Sequence, residues 1–143
     1  MSNDRASLQA LGDQLDLDSD FAWLVEDLAE PTIASGGEGF WLVDAVRKRK
    51  QVHHFRQRFA QIMHIHLSAP EHILRQCYVA RLVAIGVSPE QASSDYDRAI
   101  LHENEIEARS LSLIADMQFD SSVMPLGDIA AAIGGAIEES SSS

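Results

Sequence analysis

Apolar residues at three- and four-residue spacing, broken only by proline and glycine, constrain this chain more than any other feature. Trp41, Ala45, Val52, Phe55, Phe59, Ile62 and Met63 share one face when about 100° is advanced per residue. That spacing predicts a long helix over residues 40–67. Ser68, Ala69, Pro70 and Glu71 then form a start signal, with Ser68 and Glu71 as a reciprocal capping box and Pro70 just inside the next helix. The helix that follows, over residues 70–85, carries Ile73, Leu74, Cys77, Tyr78, Val79, Leu82, Val83 and Ile85 around most of its circumference, the pattern of a central helix. Gly86 reads as a left-handed stop, and Ser88, Pro89 and Gln91 as a second cap.

From Ala92 through Tyr96, Ala99, Ile106, Leu113, Ile114 and Met117 one face persists for nearly a further long helix, with a possible break near Ser110. Shorter amphipathic helices precede and follow: Leu8, Leu11 and Leu15; Phe21, Leu24, Val25 and Leu28; and a small-residue helix over residues 126–137. No strand alternation of comparable length is read. The fold class expected is all-α: a helical bundle of two long helices, a central apolar helix and short terminal helices. An acidic N-terminal segment with a glycine-rich joint occupies residues 1–38, a helical core residues 39–138, and a disordered Glu-Ser tail residues 139–143. A helix near thirty residues is about 45 Å long and must bury its stripe against something of similar length, so an oligomer is expected.

Composition narrows the class. The chain has 143 residues, 45% of them hydrophobic, enough for a packed core. Its 11 Lys and Arg stand against 22 Asp and Glu, a net charge of −11 that opposes phosphate backbones over most of the surface. The single Cys77 excludes an internal disulfide and reads as a buried, inert thiol suited to a reducing cytoplasm. The N-terminus lacks the pattern of a secretory signal, and the longest apolar runs, such as residues 40–43, fall far short of the about 20 residues a membrane span needs. A cytoplasmic protein with no membrane role is expected.

The acids are unevenly placed. Asp4, Asp13, Asp16, Asp18, Asp20, Glu26, Asp27, Glu30, Glu38 and Asp44 fall in residues 1–44 with only Arg5 as a cation, whereas residues 45–70 contain no acid and hold Arg47, Lys48, Arg49, Lys50, Arg56 and Arg58 with His53 and His54. Arg47, Lys50, His54 and Arg58 would project together. Three readings compete: a solvated face, neutralisation by the chain's own acidic third, and a docking surface for an anionic partner. Trp41, beside the glycine joint, is either the anchor of the long helix or part of a partner interface. Together Trp41, Arg47, Lys50, His54 and Arg58 are the candidate partner-binding residues.

Glu103 falls on the apolar stripe counted from Ala92, where a charge needs a partner; Lys48, His66 and Arg81 are the candidates to meet it. A catalytic Glu103 is the lesser reading. Six histidines raise the question of a metal, but His64 and His66 would point about 200° apart on a helix, and His53 and His64 would lie about 16 Å apart. No metal or cofactor is expected; the alternative reading is a zinc site gathered from several helices. No nucleophile elbow or phosphate-binding loop occurs, and a helix-turn-helix around Gly86 would present Glu90, Asp95 and Asp97 against one Arg98. The leading expectation is a non-enzymatic protein-interaction protein, an adaptor, assembly factor or inhibitor that self-associates or binds another protein. Its apolar contact would run along Phe55, Phe59, Ile62 and Met63. A nucleic-acid-binding regulator using the basic helix over residues 47–58 is the alternative, and a metal- or cofactor-dependent helical enzyme the second.

Overall fold

The computed structural model describes residues 5–37, 39–44 and 46–142, without the side chain of Arg5. Of the residues singled out above, Asp4, Glu38, Ala45 and Ser143 lie outside the described ones. The chain is mostly helical with one small sheet. It divides into two compact units, one of Met1–Ile62 with Glu107–Leu111, the other of Met63–Ile106 with Ser112–Ser143.

In the first unit, α1 (Arg5–Ser19) ends where the Ser19 hydroxyl donates to the Leu15 carbonyl at 2.7 Å and accepts from the Trp23 amide at 3.0 Å. A π-helical stretch, Leu24–Ala29, runs directly into α2 (Glu30–Ser35). Pro31 stands in the first turn of α2, where its missing N–H leaves no donor unmet. Trp41 folds back on Gly36 so closely that a Cβ there would overlap the indole, a contact that glycine avoids. Residues 40–44 carry no helix or strand, and α3 (Arg49–Arg58) follows. Leu24, Val25, Ala29 and Phe55 form the buried cluster, with Trp23, Ile33, Val46 and Phe59 packed around it.

The long helix over residues 40–67 is therefore reduced to ten residues. Its start is set by Gln51, whose side-chain carbonyl accepts from the Arg47 and Lys48 amides at 3.1 and 3.2 Å and satisfies the helix entrance. Beyond Phe59, which is extended, the pattern changes period: Met63, Ile65 and Leu67 alternate with His64, His66 and Ser68. That alternation forms β1 (Ile65–Ser68) of the second unit, so the all-α expectation is corrected. Its partner is β2 (Met117–Asp120), parallel, with Ile65 opposite Met117 and Ser68 opposite Asp120. Ser68, expected as a helix cap, is spent in the sheet, where its carbonyl accepts from the Ser121 amide at 2.8 Å.

Between the strands lie α4 (Glu71–Ala84), α5 (Pro89–Ala99) and α6 (Glu103–Ser110), followed by a short 3-10 turn, Leu111–Ile114. The α4–α5 connection follows the sequence closely. Gly86 has φ +98°, the Gly86 amide reaches Val83 at 3.0 Å and the Val87 amide reaches Leu82 at 3.1 Å, the double bond of a left-handed helix stop. Ser88 accepts from the Gln91 amide at 3.2 Å, while the Gln91 side chain turns to Asp95 rather than back to the cap. Ala92 and Tyr96 are buried; the Tyr78 ring meets Tyr96 edge-on at 5.3 Å, Arg75 lies over Tyr96 at 4.9 Å, and the Tyr96 hydroxyl donates to Glu71.

The second long helix is broken at residues 100–102. There the amides of Leu101 and His102 bond three residues back, and the His102 ring accepts from the Asn104 amide at 3.1 Å, so α6 starts afresh. Three further expectations are corrected. No residue of α4 is buried, Cys77 is exposed, and α7 (Leu126–Ser141) runs helical past residue 139. Among the described residues no helix is long and apolar enough to cross a membrane.

Candidate interaction surface

Lys50, His54 and Arg58 stand one helical turn apart and do share a face of α3, and that face is turned onto the acidic segment that precedes it. Lys50 meets the Asp20 carboxylate at 2.6 Å, His54 Nε2 donates to the Asp20 carbonyl at 2.9 Å, and Arg58 holds Glu30 with two bonds of 2.7 and 2.5 Å. The Lys50 ammonium keeps the Asp20 carboxyl below its ordinary range, Arg58 does the same to Glu30, and Glu30 in turn raises the guanidinium's affinity for its proton. Arg47 precedes the helix and is exposed; its amide, not its guanidinium, makes the contact with Gln51.

The carboxylate matched to Lys48 is Glu107, at 3.6 Å, one turn beyond Glu103 in α6; its other oxygen accepts from the Arg49 amide at 3.0 Å. Glu103 itself is exposed at the first position of α6, where the helix dipole favours an acid. Arg81 is exposed and lies over the Tyr78 ring at 5.7 Å. His66 sits half-buried on β1, and that burial lowers its affinity for a proton. The buried polar group that sequence reasoning missed is Asp16. One of its oxygens accepts from Trp23 Nε1 at 2.8 Å and from Gln51 Nε2 at 3.0 Å, and both Asp16 and Gln51 are buried. A tryptophan four positions past the end of an acid-bearing helix, needing an acceptor for its N–H, was the available signal.

Residues 40–43 stand out for the opposite reason. Phe40 is 77% exposed, Trp41 45%, Leu42 92% and Val43 40%. Four consecutive large apolar side chains thus face solvent on a segment without helix or strand, pinned at Trp41 by Gly36 and at its far end by Val46 in the core. Burying Phe40 or Leu42 against a partner would release about 1.5–3 kcal/mol each. By contrast, of the apolar stripe expected to carry binding, Phe55 is spent in the core and Phe59 packs against it, while Ile62 is exposed and Met63 half-buried.

Among the described residues, no group of three or more His, Cys, Asp or Glu is placed to hold a metal ion. A shallow cleft of about 380 Å³ lies along Val25, Glu26, Glu30, His54, Gln57 and Arg58, its rim formed by the Arg58–Glu30 pair. Compared with models of known protein families, with characterised proteins and with solved structures, the chain finds no match.

Proposed function

We propose that this chain is a non-enzymatic protein-interaction protein, an adaptor, assembly factor or inhibitor, that presents residues 40–43 to another protein. The observation carrying this reading is the exposed ribbon of Phe40, Trp41, Leu42 and Val43. A segment without helix or strand offers two kinds of contact at once: side chains for apolar pockets, and backbone groups outside any helix that can pair with the open edge of a partner's sheet. Trp41 supplies a rigid anchor of the type that dominates interface energies. The partner best suited has an open strand edge flanked by apolar pockets.

Nucleic acid is a weaker reading. Lys50 and Arg58 each already hold a carboxylate, so contact with phosphate would bring Asp20 and Glu30 along with it.

The test is a photo-crosslinking residue at Leu42 in the producing cell, with light scattering of the purified protein alongside. A discrete adduct with another protein, abolished by Phe40→Asp in a chain that still folds, is the expected result. A crosslink only to a second copy, with a dimer in light scattering, would redirect the reading to self-association. No adduct of any kind would overturn it.

A further inference from the structure

Immediately after α1 the chain passes through two consecutive left-handed residues that are not glycine: Asp20 with φ 50° and Phe21 with φ 68°. An aspartate visits that region at some cost; a bulky aromatic residue does so rarely. Such a conformation persists only where its surroundings over-determine it. Here the surroundings come from α3. The Lys50 ammonium lies 2.6 Å from the Asp20 carboxylate and 5.3 Å from the centre of the Phe21 ring, so one cation touches both strained residues. His54, one turn along, holds the Asp20 carbonyl at 2.9 Å, and the Phe21 amide donates to the Asp16 carbonyl at 2.7 Å.

We propose that residues 20–21 are a sprung hinge, and that Lys50, backed by His54, is the latch that fixes the direction of α1. Latch and anchor are separate. The Lys50–Asp20 pair is exposed, 59% and 75% at the two side chains, and can open without disturbing the core. The bonds from Trp23 and Gln51 to Asp16 are the buried anchor about which α1 would swing. What swings is a helix whose Leu8 and Leu11, on one face, are both more than half exposed. This assigns the cationic face of α3 an internal task, positioning the N-terminal helix, and does not depend on the ribbon of residues 40–43 being a docking site.

The experiment places spin labels at Ala10→Cys and Gln57→Cys in the otherwise full chain carrying Cys77→Ser, and reads their distance distribution by pulsed electron resonance. The unaltered latch gives a single narrow distance. Lys50→Met gives a broad or two-peaked distribution with the helical circular-dichroism signal unchanged, and Lys50→Arg keeps the narrow one. Phe21→Asn, a residue that tolerates the left-handed region, restores one narrow distance in the Lys50→Met background, because the spring is removed. A distribution that stays narrow in Lys50→Met overturns the latch. Broadening that Phe21→Asn fails to reverse overturns the spring.

Discussion

Replacing Gln51 by leucine tests the most connected polar group in the first unit. The side chain is buried, donates to the buried Asp16 carboxylate at 3.0 Å, and accepts the Arg47 and Lys48 amides at the entrance of α3. A bond to a charged group contributes about 1.5–3 kcal/mol. The two amides are only partly buried, so water recovers some of their bonding, and their loss resembles that of a helix cap, about 1 kcal/mol. Leucine fills similar volume, so the net cost of Gln51→Leu is about 2–4 kcal/mol. Urea unfolding followed by tryptophan fluorescence isolates the effect, because both tryptophans, Trp23 and Trp41, belong to the first unit. Much of the cost comes from leaving Asp16 short of a donor, so Asp16→Leu combined with Gln51→Leu should be less destabilising than the two single losses added together. A cost for Gln51→Leu below about 0.5 kcal/mol, the level of an ordinary surface change, would refute the claim that this network organises the unit.

Gly36→Ala would drive a methyl group into the Trp41 indole; a red-shifted emission with more quenching by iodide is expected, and an unchanged spectrum would show that the ring does not rest on Gly36. Asp20 and Glu30 have folded-state pKa values lowered beneath their ordinary 3.8 and 4.5 by Lys50 and Arg58, so their contribution is present above those ordinary values and lost as the pH falls through the folded ones. Acid titration of unfolding should therefore show a shallow loss of stability below about pH 4.5 that is reduced in Lys50→Met and Arg58→Met, and equal slopes in all three proteins would count against the pairs. Exposed Cys77 should react with a thiol reagent in the native protein nearly as fast as in urea, whereas strong protection would return it to the interior.

Elements whose ends are written in glycine, proline and a serine cap were legible: Gly86, Ser88 and Pro89 mark the α4–α5 turn at the residues where it occurs. The two long helices were not, because their ends are made by Gln51 and His102, side chains that cap only when the fold has already brought the right amides to them. Face-counting from Ala92 carried Glu103 onto the apolar stripe only by running through the break at residues 100–102; restarted at α6, the same residue is an exposed N-terminal acid. The strand alternation at Met63 to Ser68 was present but only a few residues long, and its parallel partner lies some fifty residues onward, so pairing is a tertiary decision. Of the candidate site, the common face of Lys50, His54 and Arg58 was readable from spacing and the acidic N-terminal third was one reading of what meets it; that Asp20 and Glu30 are the carboxylates was not readable.

That last point decides where binding is sought. An exposed ion pair is screened by solvent and contributes little, so an incoming phosphate could displace Asp20 or Glu30 at small cost. Displacement, however, leaves the carboxylate beside the newcomer, and the pair as a whole offers no net charge to attract it. Among the described residues, covering the exposed side chains of Phe40 and Leu42 displaces no such ion pair, and the apolar area it removes from water is set only against the cost of ordering them. If residues 40–43 dock a partner as proposed, Arg47 and Arg49, exposed and a few residues downstream, would act on rate more than on affinity when that partner is acidic. Association by this route should slow with added salt while dissociation stays nearly constant, and Arg47→Gln should reduce the salt dependence of the on-rate without abolishing binding. If the dissociation rate carried the salt dependence instead, the cations would be part of the contact itself and the apolar ribbon would no longer suffice to explain it.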